Sequence, residues 1–193
     1  LEAPESELLA QIRREAVSEE VPIIRPETAS LLRFLLRTLR PETILEVGTA
    51  VGYSALVMDD CLGGSAAITT IEKYEKRISV AKENFARAGA EGRIRFLEMN
   101  ADEALEMLCA EGKCYDFIFM DAAKAQYLIW LPMIRRLLSP GGVLVSDNIL
   151  QEGDLLQSRF AVTRRNRTIH SRMRDYLYAL KHDPELTTVI LSD

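Results

Sequence analysis

Thr43-Ile-Leu-Glu46-Val-Gly48-Thr-Ala-Val-Gly52-Tyr-Ser54 is the stretch on which the fold turns. Its first five residues form a short apolar run, the pattern of a strand covered on both faces, and Gly48 ends it. A glycine there lets the backbone turn tightly and lets a ligand come close. Residues 53–62 then read as a helix closed by Gly63-Gly64. Strand, glycine turn and helix together open an α/β unit.

The same alternation continues downstream. Residues 66–71, 93–99, 115–120 and 143–146 read as further strands, with helical patterns over 75–88, 101–110 and 126–138 between them. Ser139-Pro140-Gly141 should stop the last of these helices. A long helical pattern over 158–181 precedes a last expected strand at 187–191. Upstream, residues 5–19 place Leu8, Leu9, Ile12 and Ala16 on one helical face. Pro26 opens a second helix, in which Leu31, Leu32, Leu35, Leu36 and Leu39 recur until Pro41. The predicted fold class is α/β and Rossmann-like: a mostly parallel central sheet flanked by helices, with two extra helices at the N-terminus. Neither a repeat nor a linker interrupts residues 1–193, so they read as one domain. Both ends are expected to be clipped, since no Met starts the chain and the expected sheet stops at its sixth strand.

Composition narrows the class. The 193 residues are 48% hydrophobic and 27% charged, with only 10 Gly and 7 Pro, which excludes a disordered, collagen-like or low-complexity chain. A chain of this length can bury roughly 70% of its unfolded surface. No apolar run approaches the roughly 20 residues of a membrane span, so no membrane partner is expected. The first ten residues lack the basic and apolar regions of a signal peptide. Three cysteines, Cys61, Cys109 and Cys114, are an odd and sparse set that suits reduced thiols in a cytoplasm. A net charge of −5 argues against a general nucleic-acid coat protein. The charge is segregated, however. Residues 159–174 carry Arg159, Arg164, Arg165, Arg167, Arg172 and Arg174 and no acid.

Open parallel sheets bind ligands beyond the carboxyl ends of their strands. Gly48 and Gly52 do not form the G-x-G-x-x-G of a dinucleotide site, because Thr49 and Ala50 follow Gly48. Glu46, two residues before the turn, suits a cationic group rather than a pyrophosphate. Glu72 ends the second strand, where an acid commonly hydrogen-bonds ribose hydroxyls. A nucleoside with a cationic tail satisfies both acids, and S-adenosylmethionine fits that description. The plainer alternative is an ordinary strand-to-helix turn with a solvated strand end.

Asp121 follows the fourth strand, and Asp147-Asn148 follows the fifth. Two carboxylates and one amide are hard oxygen donors, which select Mg2+ or another divalent cation such as Ca2+ or Mn2+. Such a centre would ionise a bound hydroxyl and make it nucleophilic toward a sulfonium methyl. Lys124, just beyond the Asp-Ala-Ala turn, is the candidate general base, with Asp121 as its catalytic partner. The alternative is that both aspartates only cap helices. A non-catalytic nucleotide or metal module would also explain the acids and glycines, but it leaves Lys124 without a role.

Glu46-x-Gly48-Thr-x-x-Gly52-Tyr-Ser54, Asp121-Ala-Ala-Lys124-x-Gln-Tyr127 and Ser146-Asp147-Asn148 resemble the class I, divalent-metal-dependent O-methyltransferases of the catechol/caffeoyl-CoA type. The resemblance covers nearly the whole chain. It points to the bacterial branch that contains tRNA 5-hydroxyuridine methyltransferase. It implies metal ligation by Asp121, Asp147 and Asn148, and cofactor contacts from the Ile24 region, Ser54, Glu72, Ala101 and Asp121. Where relatives read Gly-Asp-Ala, this chain has Met99-Asn100-Ala101, so Asn100 would offer its amide to the adenine edge. It implies a homodimer through the leading helices. The acceptor hydroxyl is either 5-hydroxyuridine of tRNA, with the 159–174 arginines on phosphates, or a small catechol-like phenol. The arginines also fit a solvated face or a subunit contact. Tyr127, Trp130, Met133 and Leu137 lie at helical spacing and read as packing.

Overall fold

The computed structural model describes residues 5–149 and 167–191. The N-terminal helices are α1 (Glu7–Ser18) and α2 (Pro26–Leu39). Ser6 caps α1 by accepting the Leu9 amide, and Pro26 opens α2 at its first turn, where its missing N–H costs nothing. Then come β1 (Thr43–Val47), α3 (Tyr53–Cys61), β2 (Ala67–Glu72), α4 (Glu75–Arg87) and β3 (Ile94–Glu98). They are followed by α5 (Ala101–Ala110), β4 (Tyr115–Met120), a 3-10 turn (Lys124–Gln126), α6 (Tyr127–Leu137), β5 (Leu138–Ser146) and α7 (Arg167–Lys181).

The five strands pair in parallel in the order β3-β2-β1-β4-β5. Alternate residues of each strand point to opposite faces, and two separate cores result. Ile44, Ile68, Phe117 and Phe119 pack under α1, α2, α3 and α4. Leu45, Val47, Ile118 and Met120 pack under α5, α6 and α7. β1 lies centrally and the chain reverses direction across the sheet between β1 and β4, so the rim where those strands end is the topological switch point. The expected α/β class and the parallel sheet with helices on both faces are found.

Two expectations fail. Residues 187–191 form no strand; Val189, Ile190 and Leu191 stay exposed, and the Thr188 hydroxyl instead donates to the Leu180 carbonyl at 3.0 Å. A strand exists through a neighbour's ladder, and 187–191 meet none among the described residues. β5 also begins at Leu138, ahead of the Ser139-Pro140-Gly141 stop, with its register against β4 shifting between Tyr115 and Phe117. Gly141, at φ +78°, accommodates the irregularity. Of the expected helix over 158–181, residues 158–166 lie outside the described residues, and the rest appears as α7. The α2 leucine face is largely spent inside the chain: Leu32 and Leu36 are buried, while Phe34 and Leu39 face outward.

Candidate functional site

The turn after β1 and the turn after β4 touch. Gly48 sits at φ +106°, and a β-carbon there would lie 2.0 Å from the Asp121 carbonyl oxygen. Only glycine fits this contact, for reasons of space as well as of backbone conformation. The Gly48 and Thr49 amides both donate to the Ile71 carbonyl at 3.1 Å, and the Asp121 amide donates to the Val47 carbonyl at 3.0 Å. Three strand ends are thereby sewn together at one rim.

Glu46 lies beneath this turn with no solvent exposure. The Thr70 hydroxyl donates to its Oε2 at 2.5 Å, and Thr70 shares a 2.6 Å hydrogen bond with the Thr49 hydroxyl. Its Oε1 is buried without a hydrogen-bond partner among the described residues. Burial pushes the carboxyl up to about 7, outweighing the pull of the Ser54 and Thr70 hydroxyls, and the charges of Asp121 and Glu72 add to the rise. Ser54 is buried in the first turn of α3.

Glu72 accepts three backbone amides, from Ala50 at 3.0 Å, Lys73 at 2.8 Å and Tyr74 at 3.0 Å. The carboxylate is thus held rigidly at the end of β2. Ala50 presents its amide from a left-handed conformation, φ +47°. Asn100 is the N-cap residue of α5, exposed and making no side-chain capping bond, with Ala101 following it. The Ile24 side chain is buried in the core that contains α2 residues Leu32 and Leu36.

Asp121 and Asp147 end neighbouring strands, since Met120 pairs with Ser146 and the Asp147 amide donates to the Met120 carbonyl at 2.9 Å. Burial first, and then the facing Asp147 charge, push the Asp121 carboxyl up to about 6, while Lys124 and Arg77 pull it down. Two carboxylates that repel one another accept a cation readily. Asp147 Oδ1 is oriented by the Thr28 hydroxyl at 3.3 Å and the Asn148 amide at 2.8 Å. Asn148 is exposed and left-handed, φ +55°. Among the described residues no three His, Cys, Asp or Glu gather for a metal. The oxygen donors at these two strand ends are those of Asp121, Asp147 and Asn148, a chemistry that would suit a hard divalent cation rather than zinc.

The turn carrying Lys124 is braced from two sides. The Tyr127 hydroxyl donates to the Met120 carbonyl at 3.0 Å and accepts the Ala122 amide at 3.1 Å. Arg172 of α7 donates to the Ala125 carbonyl at 3.0 Å. The sequence reading gave neither contact. Tyr127 packs against Tyr176 and Trp130 as expected but also ties the turn. Arg172 is engaged with the protein's own backbone, Arg174 is exposed, and Arg159, Arg164 and Arg165 lie outside the described residues, as does the Arg167 side chain.

Sequence reasoning missed Thr28, Thr70 and Asn84, whose Nδ2 donates to the Val51 carbonyl of the glycine turn at 2.8 Å. None carries a local signal, because each meets the site from a different element. A cavity of about 270 Å³ lined by Leu9, Leu56, Asp59 and Arg93 sits at the far end of α3 from Ser54, away from this chemistry.

The model of a family described as O-methyltransferase matches residues 1–192. A caffeoyl-CoA O-methyltransferase of Stellaria longipes is 31% identical over 154 residues, 77% of this chain and 64% of that protein. A catechol O-methyltransferase of Niastella koreensis is 32% identical over 134 residues, 69% of this chain and 61% of that one. The chain therefore matches less than two thirds of the length of these curated relatives. Among solved structures, a candidate caffeoyl-CoA O-methyltransferase from Staphylococcus aureus superposes with a TM-score of 0.84 at 34% identity, over 93% of this chain and 84% of that one.

Proposed function

The chain belongs to the O-methyltransferase family, and on that premise we propose that it transfers a methyl group from S-adenosylmethionine to an acceptor hydroxyl with the help of a divalent cation. One observation carries the reading. The Gly48 turn, suited to the methyl donor, is packed against the backbone of Asp121, whose carboxyl faces Asp147. Donor and cation sites thus share one rim.

Bound together, the donor supplies an electrophilic sulfonium methyl and the cation favours the ionised acceptor hydroxyl. Asp121, Asp147 and Asn148 would hold the cation, Mg2+ or a similar hard ion. Glu72, fixed by three amides, takes the ribose hydroxyls. Glu46 and Ser54 lie under the donor's cationic tail, Asn100 and Ala101 border the adenine, and the Ile24 backbone borders the pocket. Lys124 would receive the proton of the acceptor hydroxyl.

The acceptor is a small catechol-like phenol. The relatives support this, one being a catechol and one a caffeoyl-CoA O-methyltransferase. Wobble 5-hydroxyuridine of tRNA is the second reading, favoured by the run of arginines between residues 159 and 174. A homodimer through the outward Phe34 and Leu39 of α2, in a reducing cytoplasm that suits three free cysteines, completes the proposal.

The test is to incubate the protein with S-adenosylmethionine and Mg2+, offering catechol or tRNA carrying 5-hydroxyuridine, and to seek the methylated product by mass spectrometry. Methylated catechol, lost on chelation, is the expected result. Product on tRNA alone selects the second reading, and no product on either acceptor removes the proposal.

A further inference from the structure

The turn at Gly48–Tyr53 is anchored in two halves. The inner half belongs to β2: the Gly48 and Thr49 amides bond to Ile71, and the Ala50 amide bonds to Glu72. The outer half belongs to α1 and the residues just before it. The Tyr53 hydroxyl donates to the Glu5 carboxylate just before α1. That carboxylate is held in turn by Arg13 at 3.2 Å and approached by Arg33 at 3.8 Å.

A second line runs through α4. Glu15 of α1 accepts two hydrogen bonds from Arg87, at 2.7 and 3.1 Å, the bidentate geometry that fixes both partners. Arg87 also donates to Asn84 Oδ1 at 2.9 Å, which orients the buried amide so that Nδ2 donates to the Val51 carbonyl at 2.8 Å. Without that donor the Val51 carbonyl would lose its partner. Phe85, beside Asn84, lies where a β-carbon on Gly52 would come within 2.7 Å of its ring, so α4 also sets the height of the loop.

We propose that α1 is the positioning element for the outer half of the cofactor loop, with Glu5 acting through Tyr53 and Glu15 acting through Arg87 and Asn84, so that these residues set the affinity for the methyl donor. The proposal rests on the function given above and names residues that touch neither cofactor nor acceptor. A loop held at one end only must be ordered when ligand binds, and that ordering is taken from the affinity.

Glu15→Ala and Tyr53→Phe test it, the first being an exposed site that leaves the cores untouched. Amide exchange over residues 48–54, S-adenosylmethionine binding by calorimetry, and kcat at saturating donor are measured together. Each variant should speed exchange in the loop and raise the donor Kd by roughly three- to tenfold. The kcat at saturating donor and the acceptor KM should stay unchanged. Arg87→Lys, which keeps a cation between Glu15 and Asn84, should bind donor better than Arg87→Ala. Unchanged loop exchange, an unchanged Kd, or a joint change in kcat and both KM values overturns the proposal. Wild-type protein that binds no donor overturns the proposed function and the affinity role with it, while loop exchange still decides whether α1 holds the loop.

Discussion

Gly48 and Asp121 meet so closely that a β-carbon on the first would lie 2.0 Å from the carbonyl oxygen of the second. The contact brings the turn after β1 to the turn after β4. Gly48→Ala must therefore push β1 and β4 apart at the rim while also forcing alanine to φ +106°. A destabilisation of at least about 2 kcal/mol is expected, together with loss of donor binding. Urea unfolding and calorimetry on the same preparation check it; a variant of wild-type stability and affinity would contradict the contact.

Asp147 sits where its charge acts on Asp121, and Thr28 holds it in place. If Asp147 holds the proposed cation and not the donor, Asp147→Ala should lower methyl transfer at least about a hundredfold while S-adenosylmethionine still binds. Chelation of the wild-type protein should reproduce that pattern. Turnover that survives thorough chelation would remove the cation from the mechanism.

Glu46 gives a signature in pH. Its carboxyl titrates near 4.5 in an unfolded chain and about 7 in the folded protein, mainly because it is buried. The folded state therefore keeps a proton that the unfolded chain releases. Its contribution to stability is present below about pH 4.5 and is lost as pH rises through about 7, with a slope of at most ~1.4 kcal/mol per pH unit. Glu46→Gln removes the titration without changing shape. Melting curves of the ligand-free proteins should show the wild type losing stability between pH 5 and 7 relative to the variant. Parallel curves would contradict a buried, protonated Glu46.

Tyr127→Phe deletes one hydroxyl that serves both the Met120 carbonyl and the Ala122 amide. The half-buried Ala122 amide loses its partner while the Met120 carbonyl keeps only the Asp147 amide, a cost of about 1–3 kcal/mol. A lowered thermal midpoint should accompany a fall in kcat, because the same turn leads to Lys124. A fall in stability with kcat intact would separate the turn from catalysis.

Arg172 donates to the Ala125 carbonyl, next to Lys124. Arg172→Ala should lower turnover with a small catechol several-fold, an effect on the turn that needs no nucleic acid. An effect seen only with tRNA, and steepening as salt falls, would assign Arg172 to phosphate instead.

The legible parts of this protein were those whose cause is local. β1 (Thr43–Val47), α5 (Ala101–Ala110) and β4 (Tyr115–Met120) appear with the bounds their sequence implies, because apolar runs, N-caps and glycine stops act within a few residues. The stretch at 187–191 had the same apolar character, yet it forms no strand, since a strand depends on a neighbour that composition does not reveal. Glu46, Glu72, Asp121 and Asp147 were legible because each falls at a strand end, and in an open parallel sheet those ends face the ligand. The Arg172 contact with Ala125 was not legible, because a charge run says nothing about which of its members turns back to a carbonyl.

From its own order of residues the chain dictated alternating strands and helices and the acids that fall at strand ends. Only tertiary packing decided that Gly48 meets Asp121, that Thr28 steadies Asp147, and that Asn84 reaches Val51. The division has a simple physical cause. Periodicity and capping arise among near neighbours along the backbone, whereas side-chain partnerships depend on strand register and on crossovers that bring distant segments together.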